Sequence, residues 1–160
     1  ILGHNEIGTE GMRYLAEALQ EQPQALQNLE KLDLGNNQIG DEGMRYLAEA
    51  LREQPQALQS LTTLGLGSNY IGNIGMGYLA KVLIDKPEAL TTLNLEGNGI
   101  GAQGMVHLSQ VLINKPEALT TLNLSSNGIG NEGMGYLAKV WIDKLKLYDA
   151  YRYWIFMIMK

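Results

Sequence analysis

The chain is predicted to fold as a right-handed α/β solenoid, a horseshoe segment of about five units with a parallel sheet inside and helices outside. Three observations lead to this fold class. The four prolines recur at intervals of 32, 32 and 29 residues, and five of the seven methionines keep the same intervals. Within each unit the spacing of apolar residues changes from alternation to a helical pattern, which indicates one strand followed by one helix.

Each unit begins with a short strand that has one buried face. In the second unit Leu32 and Leu34 alternate with polar neighbours, so both leucines lie on the same side of the strand. The pair recurs later in the chain as Leu64 and Leu66, Leu93 and Leu95, and Leu122 and Leu124, with a partial copy at Leu2. Because a helix separates successive copies, the strands are predicted to lie parallel.

A helix follows each strand. The run from Met44 to Leu51 has apolar residues at i, i+3, i+4 and i+7, which is one face of an α-helix, and Pro55 is expected to end it. The residue after each Ile-Gly pair is expected to cap the N-terminus of its own helix with a side-chain oxygen. These residues are Thr9, Asp41, Asn73 and Asn131, whereas Ala102 at the same position cannot cap.

Four segments share the pattern Leu-x-x-Leu-x-Leu-x-x-Asn: residues 29–37, 61–69, 90–98 and 119–127. This pattern resembles the leucine-rich repeat of the ribonuclease-inhibitor subtype, which also occurs in the sensor ends of NOD-like receptors, in Ran GTPase-activating proteins and in some bacterial effectors. The resemblance implies that the asparagines ending the pattern form a structural ladder, which satisfies backbone groups in the turn after each strand. The ladder residues are Asn37, Asn69, Asn98 and Asn127.

Composition excludes several functional classes. The chain has no cysteine, which excludes disulfides, thiolate metal sites and a cysteine nucleophile. Its net charge is -5, and residues 1–55 carry ten acidic residues against four basic ones, so binding of nucleic acid is not expected. The two histidines, His4 and His107, are expected on different elements, so no metal site is predicted.

One segment imitates a nucleotide-binding loop. Residues 99–104, Gly-Ile-Gly-Ala-Gln-Gly, follow a predicted strand and begin a predicted helix, which is the context of a dinucleotide fingerprint. The equivalent segments have Gln38 and Tyr70 in place of the first glycine, so the glycine spacing follows the repeat. We therefore expect no cofactor. We also expect no enzyme activity, because the paired acidic residues have no nucleophile or pocket nearby.

The chain is predicted to be a protein–protein interaction module that binds a protein partner on its repeat surface. The strands would present polar and small side chains to the concave face, and the nearest aromatic residue is Tyr70 at its rim. The candidate binding residues are Lys31, Asp33, Asn36, Thr63, Ser68, Tyr70, Thr92, Asn94, Glu96, Thr121, Asn123 and Ser125. A second interpretation is that these residues only keep an exposed sheet face soluble.

The module is expected to be a fragment of a larger receptor, adaptor or effector. Two other interpretations remain open. The resemblance allows a GTPase-activating regulator of the Ran type, although no added loop separates the units. The lack of an N-terminal capping unit and the irregular end of the chain favour a non-functional remnant of a longer repeat gene.

The repeat array is predicted to span residues 1–144, followed by a non-repeat hydrophobic tail at residues 145–160. Leu145 stands where other units have proline, and residues 154–159 show neither helical nor strand periodicity. The tail could cap the open end of the solenoid, contact a partner or membrane surface, or replace lost repeats. No transmembrane or signal segment is apparent, so we expect a cytoplasmic protein, or one delivered into a host cell if it is an effector.

Overall fold

The computed structural model describes the backbone of residues 1–85, 89–114 and 119–158, and the side chains within these ranges as far as residue 146. Helices and strands alternate along the chain. The helices are α1 (Gly8–Glu21), α2 (Gly40–Glu53), α3 (Asn73–Asp85), α4 (Ala102–Asn114) and α5 (Gly130–Ile158), and the strands are β1 (Lys31–Asp33), β2 (Thr63–Gly65), β3 (Thr92–Asn94) and β4 (Thr121–Asn123). This alternation confirms the predicted α/β solenoid of about five units.

The four strands form one parallel sheet in the order β1-β2-β3-β4. Their register pairs equivalent residues, so that Leu32 lies beside Leu64 and each later strand repeats the match. Residues 2–4 extend this ladder before β1. The Leu2 N–H donates to the carbonyl of Asp33 at 2.7 Å, and the His4 N–H donates to the carbonyl of Gly35 at 2.8 Å. Each unit of the sequence therefore adds one layer to the solenoid.

The core lies between the sheet and the helices. In the second unit the strand residues Leu32 and Leu34 and the helix residues Met44 and Leu47 are all at most 5% exposed. The equivalent side chains of the third and fourth units are buried to the same degree. Since burying one such side chain contributes about 2 kcal/mol, this apolar ladder is the main source of stability.

The predicted helix caps act on the following unit, not on their own helix. Helix α2, which contains Asp41, has no side-chain hydrogen bond at its own N-terminal cap. Instead, Asp41 Oδ1 accepts hydrogen bonds from the N–H groups of Gly72 at 2.9 Å and Gly75 at 2.6 Å, at the start of α3. Asn73 makes the equivalent two bonds at the start of α4, at 2.9 and 2.8 Å. The prediction that these residues cap their own helices was wrong.

The stacking of the units explains this difference. The helices lie side by side, so an oxygen in the first turn of one helix reaches the free N–H groups of the next. Ala102 therefore deprives α5, not α4, of a cap. Thr9 differs because its hydroxyl donates to the carbonyl of Ile39 at 3.1 Å. Asn131 lies in α5, and the described residues contain no later helix that it could cap.

Replacing Asp41 by alanine is expected to lower the free energy of unfolding by about 1 kcal/mol, because two N–H groups at the start of α3 lose their shared acceptor. Urea unfolding followed by circular dichroism measures this change. Asn131→Ala is the matched control, since Asn131 is an exposed residue at the same position of its unit, and we expect a change within about 0.5 kcal/mol. Equal losses in both variants would contradict a cap between units.

Helix α5 continues past the predicted boundary at residue 144 and ends at Ile158. Residues 154–158 are therefore helical, although the sequence there shows no helical periodicity. In the first two units Pro23 and Pro55 follow the end of the helix, but α5 has Leu145 at that position, so no proline removes its hydrogen bonds. Pro87 and Pro116 lie outside the described residues. The three interpretations of the tail concern the side chains of residues 147–160, which also lie outside the described part of the structure. The division at residue 144 stays a prediction.

Candidate functional site

The concave face of the sheet carries rows of equivalent residues, one from each strand. Lys31 and Asp33 of β1 are exposed on this face, whereas Leu32 between them is buried. The first row consists of Lys31, Thr63, Thr92 and Thr121, and the second row consists of Asp33, Gly65, Asn94 and Asn123. The surface is polar along its whole length.

Side chains of the second row bind the backbone of their own turns. An Oδ1 atom in each case accepts the N–H of the residue two positions later, at 3.0 Å. These pairs are Asp33 with Gly35, Asn94 with Glu96, and Asn123 with Ser125. In addition, the Asn123 amide donates to the Glu96 carboxylate at 3.1 Å. The second row therefore supports the turns after the strands, whatever else it contacts.

The first row differs from the second row in its hydrogen bonding. Within the described part of the chain, the side chains of Lys31, Thr63, Thr92 and Thr121 make no hydrogen bond or ion pair. The neighbouring threonines do have such bonds, since the Thr62 hydroxyl donates to the carbonyl of Glu30 at 2.9 Å. The first row thus presents three hydroxyl groups and one ammonium group to solvent.

The ladder asparagines lie in the turn after each strand and are at most 3% exposed. The Asn69 amide donates to the carbonyls of Leu34 and Leu66, each at 2.9 Å, and its Oδ1 accepts the N–H of Asn37 at 2.9 Å. Asn98 makes the same set of bonds one unit later. These side chains join neighbouring units, and their polar atoms are already used.

Two turn residues per unit have a left-handed backbone, with φ between 38° and 72°. They border the edge of the sheet at which the strands end. The first position is held by His4, Asn36, Ser68, Gly97 and Ser126, and the second by Glu6, Gln38, Tyr70, Gly99 and Gly128. Residues other than glycine are uncommon in this conformation, because Cβ crowds the backbone.

Together with Gly97 of the fourth unit, these residues of the first three units line a groove of about 500 Å³, which we call the rim groove. Its lining consists of His4, Glu6, Asn36, Gln38, Ser68, Tyr70 and Gly97. The Tyr70 side chain is 74% exposed, and Asn36 Nδ2 lies 3.3 Å from His4 Nε2. Three of the candidate binding residues, Asn36, Ser68 and Tyr70, thus lie together in the rim groove. The candidate residues on the strands lie outside it.

Sequence reasoning missed His4, Glu6 and Gln38 as members of this surface. A signal was present, since each occupies the same position of its unit as Asn36 or Tyr70. At the second position of the first three units, residue type does not indicate the left-handed conformation, because glutamate, glutamine and tyrosine do not favour it.

The outer face of the helices carries charge pairs. Arg45 of α2 contacts both Glu42 and Glu49, and its guanidinium lowers the pKa of the Glu42 carboxyl. Glu10 and Glu17 flank Arg13 in the same way on α1. Such exposed pairs contribute little to stability or chemistry.

Three further observations concern metal ions, membranes and the segment that imitates a nucleotide-binding loop. The described residues contain no group of three or more histidines and acidic residues placed to hold a metal ion. Over the same ranges, none of the helices combines the length and apolar character needed to cross a membrane. Gly99, the first glycine of the segment that imitates a nucleotide-binding loop, occupies one of the left-handed turn positions.

The comparisons with known proteins concern the repeat and its fold. The family model for the leucine rich repeat matches residues 1–16, 25–48, 57–80, 89–109 and 118–138. The solved structure of leiomodin-1 actin-binding site 2 is similar over 95% of this chain and 82% of that chain, with a TM-score of 0.63 and 18% sequence identity. At that identity the likeness shows the fold alone. No curated protein matches the chain.

Proposed function

Because the chain belongs to the leucine-rich repeat family, whose members act as protein-binding modules, we propose that it binds a protein partner through its concave face. One observation carries this proposal. The first-row side chains make no hydrogen bond or ion pair within the described part of the chain. They stand at a regular spacing on an exposed surface. A partner that matches this spacing would gain the same contact several times.

The residue types on the concave face indicate what kind of contact it can make with a partner. Lys31 is basic, whereas Asp33 and Glu96 are acidic, and the threonines between them are neutral. Trp and Arg, which dominate the binding energy of many interfaces, are not present on it. We therefore propose a hydrogen-bonded contact of modest affinity.

Three finer assignments belong to the same proposal. The ribonuclease-inhibitor-like subtype is supported by units of 29 or 32 residues in which α1 to α4 each have 13 or 14 residues. A cytoplasmic location agrees with the absence of cysteine. We further propose that the chain is part of a larger receptor, adaptor or effector. The GTPase-activating and remnant interpretations stay predictions.

A Thr92→Arg variant is expected to weaken partner binding about tenfold or more, because a long charged side chain would obstruct the middle of the first row. Partners are captured from cell extract on the immobilised chain, identified by mass spectrometry and then titrated by surface plasmon resonance. Filamentous actin is included by cosedimentation, because the similar solved structure is an actin-binding site.

Gln103→Arg is the control for this experiment. It introduces the same side chain at an exposed position of α4, on the outer side of the solenoid. We expect it to bind partners as the wild type does. A partner that is released by Gln103→Arg and retained by Thr92→Arg would move the binding surface to the helices and disprove the concave-face proposal.

A further inference from the structure

We propose that the rim groove is a second binding site, which takes an extended peptide segment containing arginine. This inference rests on the proposed protein-binding function but not on the concave face, because the groove is lined by turn residues alone. Two independent observations support it: the backbone conformation of the lining residues, and the chemistry of their side chains.

The first observation is that strained positions hold side chains where other units have glycine. In the last two units, three of these four positions are held by Gly97, Gly99 and Gly128, which adopt the left-handed conformation without strain, and the fourth is held by Ser126. The first three units instead place six larger residues there, including Tyr70 with a φ of 58°. Backbone strain of this kind persists where the side chains serve another purpose.

The fold does not use most of these side chains. Among the described residues, Glu6, Gln38, Ser68 and Tyr70 have no side-chain hydrogen bond or ion pair. The Tyr70 ring is also largely exposed, so it contributes little to the core. For these four residues the strain is therefore not offset by side-chain hydrogen bonds or ion pairs within the described part of the protein.

The second observation is the chemistry of the lining, which suits a peptide backbone. Asn36, Gln38 and Ser68 can each donate and accept hydrogen bonds, as the N–H and C=O groups of an extended chain require. Neighbouring strands lie about 4.8 Å apart, so three units span about 10 Å, or about three residues of extended peptide. A short segment lying across the units would contact all three turns.

The charge of the groove selects a basic side chain. Glu6 is the one acidic residue in the lining, which contains no lysine or arginine. Tyr70 adds an exposed aromatic face, on which a guanidinium group stacks. The excess of acidic residues in positions 1–55 would also attract a basic segment from a distance.

The test records backbone amide chemical shifts of the full chain by NMR during titration with two pools of short peptides. Both pools have blocked termini and randomised neighbours, but one has arginine and the other aspartate at its centre. We expect the arginine pool to shift the amides of Gln38, Ser68 and Tyr70, and to bind about tenfold more tightly than the aspartate pool. Glu6→Lys should reverse that preference.

Tyr70→Gly separates binding from folding. Glycine is already present at the equivalent position in two units, so this variant should keep or raise its melting temperature while losing the peptide-induced shifts. The inference fails if neither pool shifts the rim amides, or if Tyr70→Gly binds peptide like the wild type. In those cases the proposed function still stands, provided that capture of a protein partner depends on Thr92.

Discussion

Replacing Asn69 by alanine is expected to lower the free energy of unfolding by about 3 kcal/mol. The side chain is fully buried, and it donates to the carbonyls of Leu34 and Leu66. Its Oδ1 is the acceptor for the Asn37 N–H, which alanine would leave without a partner inside the protein. A buried donor without an acceptor costs about 1–3 kcal/mol, and the lost amide bonds add to that cost.

Asn5→Ala is the control for this substitution. Asn5 stands at the same position in the first unit and donates to the carbonyls of Leu2 and Gly3 at 2.9 Å. Its side chain is exposed and bonds only to its own turn in the described structure, so we expect a loss of about 1 kcal/mol. Urea unfolding of both variants makes the comparison. Equal losses would show that the ladder does not join the units.

Replacing Gly104 by alanine is expected to destabilise the protein by about 2 kcal/mol, although alanine is the better helix former by about 1 kcal/mol. A Cβ at this position would lie 2.5 Å from Ile100 Cγ2 and 2.9 Å from the Asn73 Oδ1 that caps α4. Accommodating the methyl group would therefore move both the core isoleucine and the cap. The free energy of unfolding, measured with urea, reports the change.

Gly135 also lies in a helix, but replacing it by alanine is expected to stabilise the protein. It lies inside α5, and a Cβ built there would have no described atom within 4 Å apart from its chain neighbours and the nearby backbone of its own helix. Gly135→Ala should therefore stabilise the protein by about 0.5–1 kcal/mol, through helix propensity and a less flexible unfolded chain. If Gly104→Ala were stabilising as well, the close packing between units at that glycine would be disproved.

Much of the fold could be predicted because its signals are local. The alternation of Leu32 with Leu34 and the helical spacing after Met44 each arise within one unit, and repetition strengthens both signals. The end of the array was harder to predict. The sequence shows Leu145 in place of proline, but that replacement alone does not predict that α5 continues to Ile158.

The candidate surface was less accessible to sequence reasoning. Strand alternation places Thr92 on the exposed side of β3, but it does not show that the Asn94 side chain is held by its own turn. Nor does it reveal that Gln38 and Tyr70 share a groove, because each depends on a left-handed backbone and on the distance between turns. Those quantities arise only when the units are stacked.

By itself the sequence determined the strand–helix unit, its repetition and the side of each strand that is buried, because apolar spacing encodes these features residue by residue. Only the tertiary structure decided which helix Asp41 caps, and which turn residues line the rim groove. Both depend on contacts between residues about one unit apart in the chain. Such residues become neighbours only through the parallel register of the sheet and the packing of adjacent helices.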